Sequence, residues 1–236
     1  ISFFVNAGIR FVEETCKLRA FGRMWDALVQ QRYGVENPKQ RLFRYGVQVN
    51  SLGLTEQQPE NNVQRIVLEM LAVTLSKTAR ARAIQLPAWN EALGLPRPWD
   101  QQWALRMQQV LALETDLLEY GDLLDGSPVV EAKVQELIAG AAGEMARVEA
   151  HGGMVACIES GYVKRELVQS HTRRMRAIES GALQIVGVNC YQETAESPLT
   201  SPGESGIMKV DAQAEREQIR ALHDFRASRE QDKVDV

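Results

Sequence analysis

The sequence predicts an α/β fold assembled from parallel βα units, and three observations predict it. Short apolar segments alternate with amphipathic helical patterns as far as about residue 87. The chain has 236 residues, 44% hydrophobic and 25% charged, enough to enclose a sizeable core. Two candidate strands hold apolar residues at alternate positions and small or polar residues between them.

Residues 1–5, ISFFV, read as a short strand. A helix over 9–31 follows, with Ile9, Val12, Cys16, Ala20, Met24 and Leu28 three or four residues apart, and Gly34 and Pro38 close it. Residues 42–50, LFRYGVQVN, read as a second strand. The next helix runs from Pro59 to about Lys77 with Val63, Ile66, Val67, Met70, Leu71 and Thr74 on one stripe. Residues 83–87, AIQLP, form a third strand, ended by its proline. Beyond it the pattern is helical. One helix covers 100–120 through Trp103, Met107, Val110, Leu111, Leu117 and Leu118. Another runs from Pro128 to about Ala150, and Gly152 and Gly153 stop it. Shorter helices follow over 154–160 and 163–180, then a strand at 185–188, IVGV. Residues 195–206, rich in Ser, Pro and Gly, read as a linker, and a polar helix over about 212–230 comes last.

Composition excludes several classes. The net charge is −4, from 27 basic and 31 acidic residues, which does not suit a general binder of nucleic-acid backbones. No window approaches 18 uninterrupted apolar residues, so no membrane span is expected. Cys16, Cys157 and Cys190 are odd in number and widely spaced. They give neither a disulfide framework nor a zinc spacing, so no metal site is expected and a reducing cytoplasm fits best. The opening ISFFVNAG has no initiator Met, no charged n-region and no long apolar stretch. It is not a signal peptide; it reads as a strand already under way, and an upstream part is expected to be missing.

The strands suggest a binding lumen. In 43–50 one face is Phe43, Tyr45, Val47 and Val49, and the other is Arg44, Gly46, Gln48 and Asn50. In 83–87 Ile84 and Leu86 oppose Ala83, Gln85 and Pro87. A sheet with one solvated face would give this pattern. So would a barrel lined with small and polar groups, and the helices between the strands favour the barrel, because crossovers cover the outer face. The loops after both strands are rich in polar residues, and strand C-termini are where parallel α/β folds place their sites. Glu91 stands a few residues past such an end. A solvated or helix-start carboxylate is the competing reading of that residue.

The segment FRYGVQVNSLGLTEQQPENNVQRIVLEMLAVTLS, followed by AIQLPAWNEALGLPRPWD, resembles the substrate-binding barrel of adenosylcobalamin-dependent acyl-CoA mutases. Methylmalonyl-CoA mutase is the best-known member, and the wording is most similar to the ethylmalonyl-CoA mutase branch. RFVEETCKLRAFGRMWDAL, HGGMVACIESGYVKRELV and QIVGVNCY also resemble family segments, so the likeness extends over about residues 1–192. It implies the C-terminal part of a (β/α)8 TIM barrel, about strands six to eight, followed by wrapping helices and a linker. Residues 1–192 would be that barrel part with its helical wrap, and 193–236 a linker and polar helix leading toward a cobalamin-binding domain. The cobalt-ligating Asp-x-His-x-x-Gly motif of that domain is absent, so His151, His171 and His223 read as surface or helix-packing residues.

The likeness assigns roles position by position. Ser2 matches a serine that contacts the CoA substrate. Gln48 matches a lumen glutamine near substrate and corrin. Glu91 matches the glutamate that binds the adenosyl ribose, and Ala92 the small residue beside it. Ser51 and Gly94 stand at cobalamin-contacting positions where relatives often have Gly and Ala. Gly46 and Gln85 stand where relatives often have His, which changes the space and polarity around the acyl group. The implied activity is a radical carbon-skeleton rearrangement of a short branched dicarboxylic acyl-CoA, of the ethylmalonyl-CoA/methylsuccinyl-CoA or the methylmalonyl-CoA/succinyl-CoA type. The cofactor is adenosylcobalamin. Expected partners are the acyl-CoA, an N-terminal half-barrel and a cobalamin domain, on the same chain or a separate subunit, and a second copy in a dimer. The family's catalytic tyrosine and acid-like histidine would lie upstream, so no catalytic residue is assigned. A non-catalytic subunit or scaffold on the same fold is the alternative. An ordinary phosphate-binding barrel would need a Gly-rich loop that the chain lacks.

Overall fold

The computed structural model describes residues 1–195, 197 and 207–233. Three strands, β1 (Phe3–Ala7), β2 (Tyr45–Val49) and β3 (Ala83–Gln85), form one parallel sheet in the order β1-β2-β3. The crossovers are α1 (Phe11–Tyr33) and α2 (Asn61–Thr74), as the alternating sequence pattern predicts. Register is set by burial. On β2, Tyr45, Val47 and Val49 are buried and Gly46 and Gln48 are only half-buried. A slip of one residue would exchange the two sets.

The main core lies between the sheet and its helices, where Ala7, Leu18, Tyr45, Val47, Ala72, Val73 and Ala79 pack together. Phe3, Phe43 and Trp25 extend it: Phe3 stacks on Phe43 at 4.7 Å and meets Trp25 edge-on at 4.9 Å. The Tyr45 hydroxyl sits deep in this core and donates to Ala79 O at 2.7 Å, which satisfies it. A second cluster joins Val49, Leu54, Ile66, Met70, Leu86, Trp89 and Ala104. It anchors α3 (Pro98–Leu113).

Helix α1 is buried on two sides. Thr15 and Leu18 face the sheet and α2, and Thr15 Oγ1 donates to Ala72 O at 2.8 Å. The stripe read from sequence serves the other side: Cys16 and Ala20 pack on Val130 and Val134 of α4 (Pro128–Ala150), while Ile9 and Val12 stay exposed. Arg23 clamps the same interface through two bonds to the Glu131 carboxylate, at 2.5 and 2.7 Å. Helices α5 (Met154–Glu159) and α6 (Tyr162–Glu179) pack on each other, and α5 also touches α4. Among the described residues, α7 (Ala212–Ser228) buries no side chain.

Four expectations are corrected. The helix expected over 100–120 ends at Leu113, and Leu117–Glu119 is a separate 3-10 turn. The Lys77 ammonium draws that turn aside by donating to Leu117 O at 3.1 Å and to Tyr120 O. The inward side of α3 is Ala104, Met107 and Leu111, whereas Trp103 and Val110 are exposed. The strand expected at 185–188 is a turn, closed by Val188 N donating to Ile185 O and Gly187 N donating to Cys190 O. Pro87 does not continue a polar face: the strand stops at Gln85, and Pro87, Ala88, Trp89 and Asn90 run inward and are buried. The expected linker over 195–206 falls outside the described residues except at 195 and 197. No helix among the described residues is long and apolar enough to cross a membrane.

Candidate functional site

Parallel pairing places the C-terminal ends of all three strands at one end of the sheet, so three loops gather there. They are residues 8–10, 50–60 and 86–97. Ser51 opens a 3-10 turn whose start is fixed by Asn50, as Leu52 N donates to Asn50 Oδ1 at 2.9 Å. Glu91 and Ala92 lie in a second 3-10 turn, Glu91–Leu93, which ends at Gly94. Gly94 adopts φ 143°, a conformation that side chains disfavour, and a Cβ there would stand 3.0 Å from Ile207.

Two buried side chains hold these loops. Asn62, fully buried at the start of α2, donates from Nδ2 to Thr55 O and to Trp89 O, both at 2.9 Å. Its Oδ1 accepts from Thr55 N at 3.0 Å and from Arg65 at 2.8 Å. One amide therefore ties the loop of Ser51 to the loop of Glu91. Asp100, also fully buried, closes the second loop on itself. It accepts from Asn90 Nδ2 at 2.9 Å, from Arg97 N at 2.9 Å and from the Arg97 side chain. Burial pushes its carboxyl up, but the hydrogen bonds from Arg97 and Asn90 and the guanidinium charge outweigh that and hold it below the usual range. Glu91 is exposed at the tip of the loop so braced.

The face of the sheet turned away from the helices is arranged in rows. Phe4, Gly46 and Ala83 are Cα partners in one row, and Asn6, Gln48 and Gln85 in the next, nearer the loops. Ser2 precedes β1 and alternates with Phe4 and Asn6. Gly46 is the notch of its row: a Cβ there would stand 2.6 Å from Cε2 of Phe4, so the Phe4 ring lies across it. At the other end of the strands, Arg23, Arg41, Arg44, Arg80 and Arg82 line a cavity of about 300 Å³ with Asp26. Arg41 pairs with Asp26 and Arg23 with Glu131, while Arg44, Arg80 and Arg82 form no ion pair among the described residues.

Beneath the Ser51 turn lies a buried acid. Glu69 of α2 is 1% exposed, and its Oε1 stands 3.5 Å from where a Cβ on Gly53 would be. Its Oε2 has no hydrogen-bond partner among the described residues. Burial, then the charge of Glu14, push its carboxyl up to about 8, and Arg65 opposes them.

Against known proteins, the whole of residues 1–236 matches the family described as methylmalonyl-CoA mutase. The chain belongs to this family. It is 62% identical over 230 residues to ethylmalonyl-CoA mutase of Cereibacter sphaeroides, covering 98% of this chain and 35% of that protein. It is 59% identical to ethylmalonyl-CoA mutase of Methylorubrum extorquens, covering 98% of the chain and 33% of that protein. Identity to methylmalonyl-CoA mutase of Escherichia coli is 32%, over 98% of the chain and 31% of that protein. The chain thus spans about a third of the length of the curated relatives it matches.

Within this member of the methylmalonyl-CoA mutase family, Gly46, Gln48 and Gln85 share one face of the sheet, and Ser51, Glu91, Ala92 and Gly94 share the loop end. Ser2 lies at the opposite end of its strand from those loops. Sequence reading missed Asn6, Asn62 and Glu69. Alternation from Phe4 would have placed Asn6 on the polar face. Asn62 sits in the polar run QQPENN, where nothing marks one amide for burial, and Glu69 falls between apolar residues of its helix.

Proposed function

We propose that this chain is a sector of an adenosylcobalamin-dependent acyl-CoA mutase acting on an ethylmalonyl-CoA/methylsuccinyl-CoA pair, with β1, β2 and β3 as strands six to eight of a (β/α)8 barrel. The observation that carries the reading is the pair of in-register rows, Phe4–Gly46–Ala83 and Asn6–Gln48–Gln85, on the face away from the helices. A barrel interior is ordinarily filled by bulky branched residues, and apart from the Phe4 ring this face carries glycine, alanine and amides, so it leaves room for an extended polar ligand. Ser2, Gly46, Gln48 and Gln85 line the acyl-CoA path. The arginines at the N-terminal ends of the strands supply charge for the phosphates of coenzyme A.

The loop end fits the corrin and its adenosyl group. Ser51, Ala92 and Gly94 are all small and would let a flat macrocycle approach the backbone, with Gln48 of β2 among the residues that would hold it. The Glu91 carboxylate is exposed and makes no ion pair among the described residues, so both its oxygens are available to ribose hydroxyls. Adenosylcobalamin supplies, when bound, the radical chemistry that side chains lack. This chain's part is to orient the acyl group and the ribose and to keep water out, with Asn62 and Asp100 holding the two rim loops in register. The cobalamin domain and the remaining strands are partners in the complete enzyme, which works in the cytoplasm.

The test is isomerase assay of the complete enzyme with ethylmalonyl-CoA and with methylmalonyl-CoA, each with and without adenosylcobalamin. Cofactor-dependent turnover favouring ethylmalonyl-CoA is expected. Preference for methylmalonyl-CoA overturns the choice of branch. Absence of turnover with either substrate overturns the mutase reading in favour of a non-catalytic subunit.

A further inference from the structure

Asn6 has no role in the family likeness, yet it stands in the same row as two residues that do. Asn6 is the Cα partner of Gln48, and Gln48 of Gln85. All three point away from the helices, since Val5, Val47 and Ile84 take the opposite face. Adjacent strands lie about 4.8 Å apart, so the row is an amide belt about 10 Å wide across three strands. None of these amides makes a hydrogen bond among the described residues. Each amide has two N–H donors and one carbonyl acceptor, and a polar row in the wall of a lumen needs partners. Among the described residues no cation is hydrogen-bonded to these amides. Lys17 donates to the backbone carbonyl of Asn6 at 2.9 Å and pairs with Glu14. One row further from the rim, Phe4 lies over Gly46 and presents an aromatic surface instead.

Resting on the mutase reading above, we infer that Asn6 is a further substrate-binding residue, completing with Gln48 and Gln85 a neutral belt that recognises the thioester carbonyl of an acyl-CoA. Neutral N–H donors suit a carbonyl oxygen, whereas a carboxylate calls for the charge that the belt lacks. The belt also lies next to the rim loops, which places the carbonyl-bearing end of the ligand toward the cofactor.

The experiment uses the complete enzyme and compares wild type with Asn6→Ala and Asn6→Gln. Affinity is measured for the acyl-CoA and for a thioether analogue in which the carbonyl is a methylene, together with the affinity for adenosylcobalamin and the melting temperature. Asn6→Ala is expected to weaken acyl-CoA binding about fivefold, the loss of one neutral hydrogen bond, and to leave thioether binding, cofactor binding and melting unchanged. Asn6→Gln should recover part of the loss. Equal effects on thioester and thioether, or no effect on either, overturn the role of Asn6 and leave the mutase reading standing. Failure of the wild-type enzyme to bind acyl-CoA at all overturns both.

Discussion

Two buried acids lie at opposite ends of the sheet and are treated in opposite ways. Asp122, at the N-terminal end of the strands, is saturated. Its oxygens accept from Arg19 at 2.6 Å, from Thr78 N at 2.7 Å, from Thr78 Oγ1 at 2.5 Å, from Leu124 N at 3.0 Å and from Ser76 at 3.3 Å. Burial would raise its pKa, but the bonds from Thr78 and Leu124 and the charge of Arg19 outweigh burial and lower it. Glu69, reaching the C-terminal end, is pushed up to about 8 by burial and then by the charge of Glu14, against the opposing charge of Arg65. The first end is a clip joining α1, the turn after α2 and the strap before α4. The second end is underpinned by a group that destabilises the fold near neutral pH. Stability is concentrated where the fold is tied together and given up where the site lies.

The largest effect should come from breaking the clip. Asp122→Ala leaves the Arg19 guanidinium buried, its side chain 8% exposed, without its counter-charge. A loss of about 3–5 kcal/mol of folding stability is expected, read by denaturant melting of the complete enzyme. A loss under 1 kcal/mol would make Asp122 no more than a surface pair.

Glu69→Gln tests the other end and should act in the opposite direction. Folding holds a proton on Glu69 up to about pH 8, whereas the unfolded chain releases it near 4.5. The folded state therefore binds more protons across that window, and stability falls as pH rises through it. Glutamine removes the Glu69 part of that slope, so the variant should gain roughly 3 kcal/mol over wild type at pH 7 and almost nothing at pH 4.5. Stability measured across that range checks this, and parallel curves for the two proteins would contradict it.

The contrast between the ends also governs what was legible. Alternation in LFRYGVQVN gave the facing of β2 directly, because one buried face leaves one choice of register. The stripe on α1 was real, but periodicity does not name a partner, and it belongs to α4 rather than to the sheet. The strand at 185–188 failed because IVGV has strand composition but, among the described residues, pairs only through the isolated Val186–Cys190 bridge: Asn189 binds Ile185 N, Ile178 O and Leu183 O and folds the segment into a turn. Glu69 and Asp122 were illegible for a common reason. Whether a carboxylate is buried, and whether its donors arrive, depends on residues up to 103 positions away, as Arg19 and Asp122 illustrate.

At the rim, Glu91→Ala is expected to weaken adenosylcobalamin by about 2 kcal/mol through lost charged hydrogen bonds, and to spare a corrin lacking adenosine. Equilibrium titration with the two corrins separates the cases. Equal losses would make Glu91 a brace for its loop, like Asp100, rather than a ligand.

The smallest effect concerns the notch at Gly46. A methyl group there would stand 2.6 Å from the Phe4 ring, closer than packing allows. The backbone need not yield, because Phe4 is 59% exposed and its ring is free to swing. In Gly46→Ala the loss from crowding is offset by the roughly 0.5–1 kcal/mol that alanine gains over glycine in a strand. Melting should therefore move by no more than a few degrees. On the proposed barrel reading the displaced ring swings into the acyl-CoA path, so KM for the acyl-CoA should rise about fivefold, about 1 kcal/mol of binding. Gly46→Leu should push the ring further and raise KM more. Val47→Asn is the opposite-face control, buried against the helices, and should lower melting through about 2 kcal/mol of lost burial while leaving KM alone. The second variant needed is Gly46→Ala combined with Phe4→Leu. If the ring is the obstacle, the smaller side chain restores KM, and if KM stays high the notch itself is where the substrate passes.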